Sequence, residues 1–132
     1  LYQGNIPYPY TGRDGYVRVT PAAKEIVESV FSVLSIGSYT DVANKLNSMG
    51  FRTSTGRAWN KDIARAFCQN PIHAGYAVSY TDRRSDGSAN KRGGMIFTRL
   101  TKGMPDPPIA LETFMDCNPV MGKREIVVVK PA

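Results

Sequence analysis

Lys61, Arg65 and Gln69 recur at intervals of four residues, which on a helix stacks them along one side, one turn above another. Two cations and an amide in that arrangement can donate hydrogen bonds to base edges in a major groove. Immediately upstream, the run Arg52-Thr53-Ser54-Thr55-Gly56-Arg57 offers hydroxyls, backbone donors and guanidinium groups. Its small side chains would let a phosphate approach the backbone, and the N-terminus of a following helix would add partial positive charge. Downstream, Thr81 to Gly94 reads TDRRSDGSANKRGG, the composition of a hairpin loop. Its Arg83, Arg84, Lys91 and Arg92 could drape along a phosphate backbone. The candidate DNA-binding residues are therefore Arg52, Thr53, Ser54, Thr55, Arg57, Lys61, Arg65, Gln69, Arg83, Arg84, Lys91 and Arg92. Each group also has a plainer reading. Lys61 and Arg65 fit an ordinary solvated helix face, and the basic hairpin fits a solubilising tip. Trp59, just before Asn60, reads first as a structural staple and only second as a base-stacking ring.

Charge agrees with a polyanionic partner. Between residues 52 and 102, ten Lys or Arg stand against three acids, whereas residues 1–51 balance at four against four and residues 103–132 hold three against four. The net charge of +6 thus belongs to the middle of the chain, and the cluster is rich in Arg, which favours nucleic acid over scattered surface charge.

Other chemistry is hard to assemble. His73 is the only histidine, and beside a helix end it reads as structural. Ser32, Ser35 and Ser38 fall in helical or capping contexts, with no nucleophile elbow or phosphate-loop signature around them. Acidic residues are too scattered for a two-metal nuclease. No catalytic residue, metal or cofactor is expected. Cys68 and Cys117 are too few for a disulfide framework or a zinc site and read as reduced, part-buried thiols of a cytoplasmic protein. There is no 20-residue apolar span and no secretory signal, so no membrane partner is expected. The chain opens at Leu1 rather than Met, which reads as a fragment of a longer protein.

The elements that must position these residues follow from periodicity and punctuation. Residues 1–20, with Pro7-Tyr8-Pro9-Tyr10, a turn at Gly12-Arg13-Asp14-Gly15 and a short alternating Tyr16–Val19, predict a largely extended N-terminal linker. Thr20 and Pro21 should open a first helix with Ile26, Val27, Val30, Phe31 and Leu34 as its apolar stripe, stopped by Gly37. Ser38 with Asp41 should cap a second helix that buries Val42, Ala43, Leu46 and Met49 and ends at Gly50. Asn60 should cap a third, with Ile63, Ala64 and Phe67 inward, ended by Asn70-Pro71. Tyr76, Val78 and Tyr80 alternate as a strand, and Met95–Leu100 should return as its partner. Ala110–Cys117 predicts a short helix with Leu111, Phe114 and Met115 inward, and Glu125–Lys130 a final strand. The expected fold class is α+β: a small helix-turn-helix-like bundle with an appended antiparallel β-hairpin. It forms one domain over 1–132, with linker 1–20, helical core 21–75, hairpin 76–102 and a C-terminal helix and strand over 103–132.

These residues also carry a resemblance. Ala23, Val27 and Phe31; then Ser38, Val42-Ala43, Leu46-Asn47 and Gly50; then Thr53, Gly56 and Trp59; then Asn70-Pro71 and Gly75; and finally Pro108-Ile109 with Glu112-Thr113-Phe114 follow one order. That order resembles the recombinase domain of large serine recombinases, the phage integrases and transposon recombinases of bacteria. The likeness covers about residues 20–115. His73 stands where the family usually has Tyr, Pro7-Tyr8-Pro9-Tyr10 replaces a Pro-Tyr-Gly-Tyr opening, and Asn118-Pro119 interrupts a helix that many members continue. The resemblance implies a domain that binds duplex DNA at one half of an attachment site, within a parent enzyme that integrates, excises or inverts DNA as a tetramer. The catalytic serine domain and the cysteine-rich zinc ribbon of such enzymes have no counterpart in these residues. The competing expectations are a helix-turn-helix transcriptional regulator and a protein-interaction module without DNA contact.

Overall fold

A computed structural model describes residues 6–81, 84–88 and 93–130. Three helices follow the N-terminal segment. In α1 (Pro21–Leu34) the Thr20 hydroxyl accepts the Ala23 N–H, Pro21 takes the first turn, and Ala23, Ile26, Val27, Val30, Phe31 and Leu34 form the buried stripe. The helix ends at Leu34, before Gly37. In α2 (Tyr39–Ser48) Ser38 and Asp41 form a reciprocal capping box, so two otherwise orphaned backbone donors are satisfied. Val42, Ala43 and Leu46 are buried, but Met49 is 40% exposed. It lies past the last helical residue, where Gly50 turns the chain with φ +83°, so the helical period no longer fixes its direction. In α3 (Lys61–Cys68) the Asn60 side chain accepts the Ile63 N–H; Ala64 and Cys68 are buried, while Ile63 and Phe67 pack half-buried against the core.

After α3, Asn70 caps a single 3-10 turn, Pro71–Ala74, and Gly75 adopts φ +84° to start the sheet. Strands β3 (Tyr76–Tyr80) and β4 (Met95–Arg99) form the expected antiparallel pair, with Tyr76 opposite Arg99 and Tyr80 opposite Met95. A third strand joins it. After helix α4 (Leu111–Cys117) and a second 3-10 turn at Pro119–Lys123, β5 (Ile126–Val129) runs parallel to β4. The final strand predicted from sequence therefore completes a mixed sheet.

Over its described part, residues 6–20, the N-terminal segment is not an extended linker. Thr11–Arg13 and Tyr16–Arg18 pair antiparallel as β1 and β2 around Asp14-Gly15, so Gly12 and Arg13 belong to a strand and not to the turn. Tyr10 and Val17 are buried in the core. One hydrophobic core joins helices and sheet: Phe97 and Phe114, both fully buried, stand edge to face, and Phe114 reaches Phe31 of α1. Among the described residues, no helix is long and apolar enough to cross a membrane.

Candidate nucleic-acid interface

The connection between α2 and α3 is built by side chains of the helices it joins. Asn47, on α2, uses both ends of its amide on the backbone of Trp59: its Nδ2 donates to the Trp59 carbonyl and its Oδ1 accepts the Trp59 N–H, each at 2.8 Å. This fixes the residue before the α3 cap. The Trp59 ring is buried, edge-on to Phe67 at 5.3 Å and beside Tyr8. Trp59 is thus a structural anchor whose ring offers no face for a base.

Between these anchors, the loop closes on Thr53. The Thr53 N–H donates to the Arg57 carbonyl, the Gly56 N–H to the Thr53 carbonyl, and the Arg57 N–H to the Thr53 hydroxyl. Gly56 has φ +82° with open space around it, so glycine serves the turn and not a close approach. The expected backbone donors at 53, 56 and 57 are consumed within the loop, and the half-buried Thr53 shapes it. What the loop leaves outward are Arg52, Ser54, Thr55 and Arg57, all exposed. Arg52 donates to its neighbour's carbonyl, that of Phe51.

On α3, Lys61 and Arg65 are exposed on one side, as the spacing requires. Asp62 moderates them: its carboxylate lies 3.5 Å from the Arg65 guanidinium, with both side chains more than half exposed, a pairing worth little in water. Gln69 is half-buried at the C-terminal end, its amide nitrogen 3.4 Å from the Tyr39 hydroxyl. It borders a groove with Ala66, Val78 and Tyr80, between α3 and the sheet. In the basic hairpin loop, Arg84 is exposed within a turn closed by the Arg84 N–H to the Ser88 carbonyl and the Gly87 N–H to the Arg84 carbonyl. Arg83, Lys91 and Arg92 lie outside the described residues.

The lone histidine and one of the two thiols, Cys68, are turned inward. His73 is 1% exposed; its Nε2 lies 2.7 Å from the Phe67 carbonyl and its Nδ1 2.6 Å from the Tyr10 hydroxyl. A carbonyl only accepts, so Nε2 carries the proton and Nδ1 accepts from Tyr10. Burial lowers the His73 pKa from 6.5 to about 4, against the opposing pull of the Phe67 carbonyl. Burial pushes the Cys68 thiol up to about 12, and Cys117 is raised too, chiefly by burial. Among the described residues no group of three or more His, Cys, Asp or Glu is arranged to hold a metal ion.

Sequence reasoning missed a polar network behind α3. Asn118 is fully buried; its Nδ2 donates to the carbonyls of Cys68 and Phe114, and its Oδ1 accepts from the Tyr39 hydroxyl at 2.7 Å. It joins the starts or ends of α2, α3 and α4. Arg99 was also misjudged by a count of charges. Its guanidinium donates to the carbonyls of Gly75, Leu100, Met104 and Pro105, so it holds the connector after β4 and presents little charge outward.

The fold is similar to that of a solved chain from the crystal structure of an LSR–DNA complex, LSR denoting a large serine recombinase. The TM-score is 0.56 at 14% identity, and the match covers 93% of this chain and 32% of that one. The chain thus spans about a third of that protein's length. No curated protein matches it. Residues 21–118, from the first residue of α1 to the buried Asn118, match the family described as Recombinase, and the chain belongs to that family.

Proposed function

We propose that this chain binds duplex DNA as a recognition domain of a serine site-specific recombinase, gripping one half of an attachment site while strand cutting and rejoining belong to another part of the parent protein. The observation that carries this reading is the exposed pair Lys61 and Arg65 on α3, held behind a loop that Asn47 pins to α2. Such a helix presents cations to a groove while its opposite side stays in the core. Arg52, Ser54, Thr55 and Arg57 would contact phosphates beside it, and Arg84 would extend the contact toward the sheet. The family match supports a role in recombination, and the fold neighbour was solved with DNA. Assembly with other subunits into a tetramer, and action in the cytoplasm on DNA, follow from this reading as further parts of the proposal.

Selection of bound duplexes from a randomised library, at about physiological salt, tests it. Enrichment of one motif of roughly half-site length is the expected result. Replacement Arg65→Ala should then relax the preference at one base pair by about 1–3 kcal/mol. Uniform weakening on all sequences would reassign Arg65 to the phosphates. Recovery of no duplex above background would remove the DNA-binding reading and favour a protein-interaction module.

A further inference from the structure

Hydrogen-bond direction along the network behind α3 fixes which way the Gln69 amide faces. Asn118 spends both N–H groups of its amide on carbonyls, those of Cys68 and Phe114, each at 3.0 Å. Its amide therefore cannot be turned over, and its Oδ1 can only accept. The Tyr39 hydroxyl, 2.7 Å away, must give its single proton to that oxygen. The Tyr39 oxygen is then left with lone pairs alone, so Gln69 must direct its Nε2 toward it, as it does at 3.4 Å. A reversed Gln69 amide would set two oxygens against each other.

We infer that Asn118 and Tyr39 are positioning residues that orient the Gln69 amide as a reader of adenine; this rests on the DNA-binding reading above. With one N–H directed to Tyr39, Gln69 keeps Oε1 and a second N–H. Those two groups match the N6 donor and N7 acceptor that adenine shows in the major groove, whereas guanine shows two acceptors there. Asn118 closes the run that matches the family, and Tyr39 opens α2. The relay thus links the positions of three helices to the direction of one amide.

The test compares the full chain with Tyr39→Phe, Gln69→Ala and the double variant in duplex selection and in salt titration of binding. Tyr39→Phe removes only the hydroxyl, and circular dichroism checks that each variant is folded. The wild-type chain should enrich adenine at one position, and Gln69→Ala should lose that preference. Tyr39→Phe should reduce it about 2- to 10-fold, the cost of ordering one freed side chain, with the salt dependence unchanged. The double variant should match Gln69→Ala, because Tyr39 acts through Gln69. A Tyr39→Phe variant with undiminished adenine preference, or one weakened equally on all sequences, overturns the relay, as does a double variant that falls further than Gln69→Ala. Absence of any selected motif with the wild-type chain overturns the DNA-reading proposal itself, and that outcome is visible before a variant is made.

Discussion

His73 shows how one side chain ties this domain's stability to pH. It stacks against Phe67 at 4.4 Å, meets Phe31 edge-on and bonds Tyr10 from the N-terminal segment. Burial holds its pKa at about 4, below the ordinary 6.5. Above pH 6.5 both folded and unfolded chains carry it neutral, and its contribution is complete. As pH falls below 6.5 the unfolded chain takes up a proton that the folded chain refuses, so stability drops until the folded pKa is reached. The window from pH 6.5 to about 4 corresponds to a loss of about 3 kcal/mol. Carboxylates titrate in the same range, so the readout is the difference between wild type and His73→Phe in urea unfolding at pH 7 and pH 4. The variant should start less stable at pH 7, having lost two hydrogen bonds, and should lose about 3 kcal/mol less on acidification. Parallel curves would mean that His73 is protonated in the folded chain. The sequence marks this residue as structural because it is alone beside a helix end. Its partner Tyr10, 63 residues away, has no local signal.

At the scale of elements, the helix starts are legible because a cap is a local device. Thr20, Ser38 and Asn60 all accept the backbone donors that their positions demand. The joint between α2 and α3 is not legible from local pattern: Asn47 is visible as a position in the family's order, but nothing local tells that its amide holds the backbone of Trp59, twelve residues on. Thr53 and Gly56 are likewise visible as small loop residues, yet the donors they were expected to offer a phosphate close the loop instead. Met49 fails for a related reason, since the helical period was extended one residue past the helix. The joint makes its own prediction. Asn47→Ala leaves the Trp59 N–H and carbonyl without their amide partner beside a buried ring, and should cost about 1–3 kcal/mol. Thermal unfolding measures that cost. Because the same contact sets the residue before the α3 cap, DNA affinity should fall more than for a loop variant such as Ser54→Ala. A melting temperature unchanged by Asn47→Ala would mean that the Trp59 packing alone holds the joint.

Across the whole molecule, the sequence places the charge in the right region but overstates how much of it faces outward. Mixed α+β architecture, the α2–α3 unit and the β3–β4 pair all follow from local pattern. The parallel docking of β5 on β4 and the burial of Tyr10 and Val17 depend on contacts between distant segments, to which periodicity is blind. Arg99 illustrates the cost: counted as a cation of the basic middle, it is occupied by four backbone carbonyls. Among the described residues, Arg52, Arg57, Lys61, Arg65, Arg84 and Lys102 remain exposed in that region. Contact with about 4–6 phosphates implies a slope of about −4 to −5 for log affinity against log salt concentration. The segregation of charge gives this prediction an internal control. Lys24 lies on α1 beside Glu28, at 4.0 Å, in the half of the chain whose charges balance. Arg57→Ala should make the slope shallower by about one unit, while Lys24→Ala should leave it unchanged. Equal effects from the two replacements would mean that the polyanion responds to net charge alone, and the α3 surface would lose its claim to be the interface.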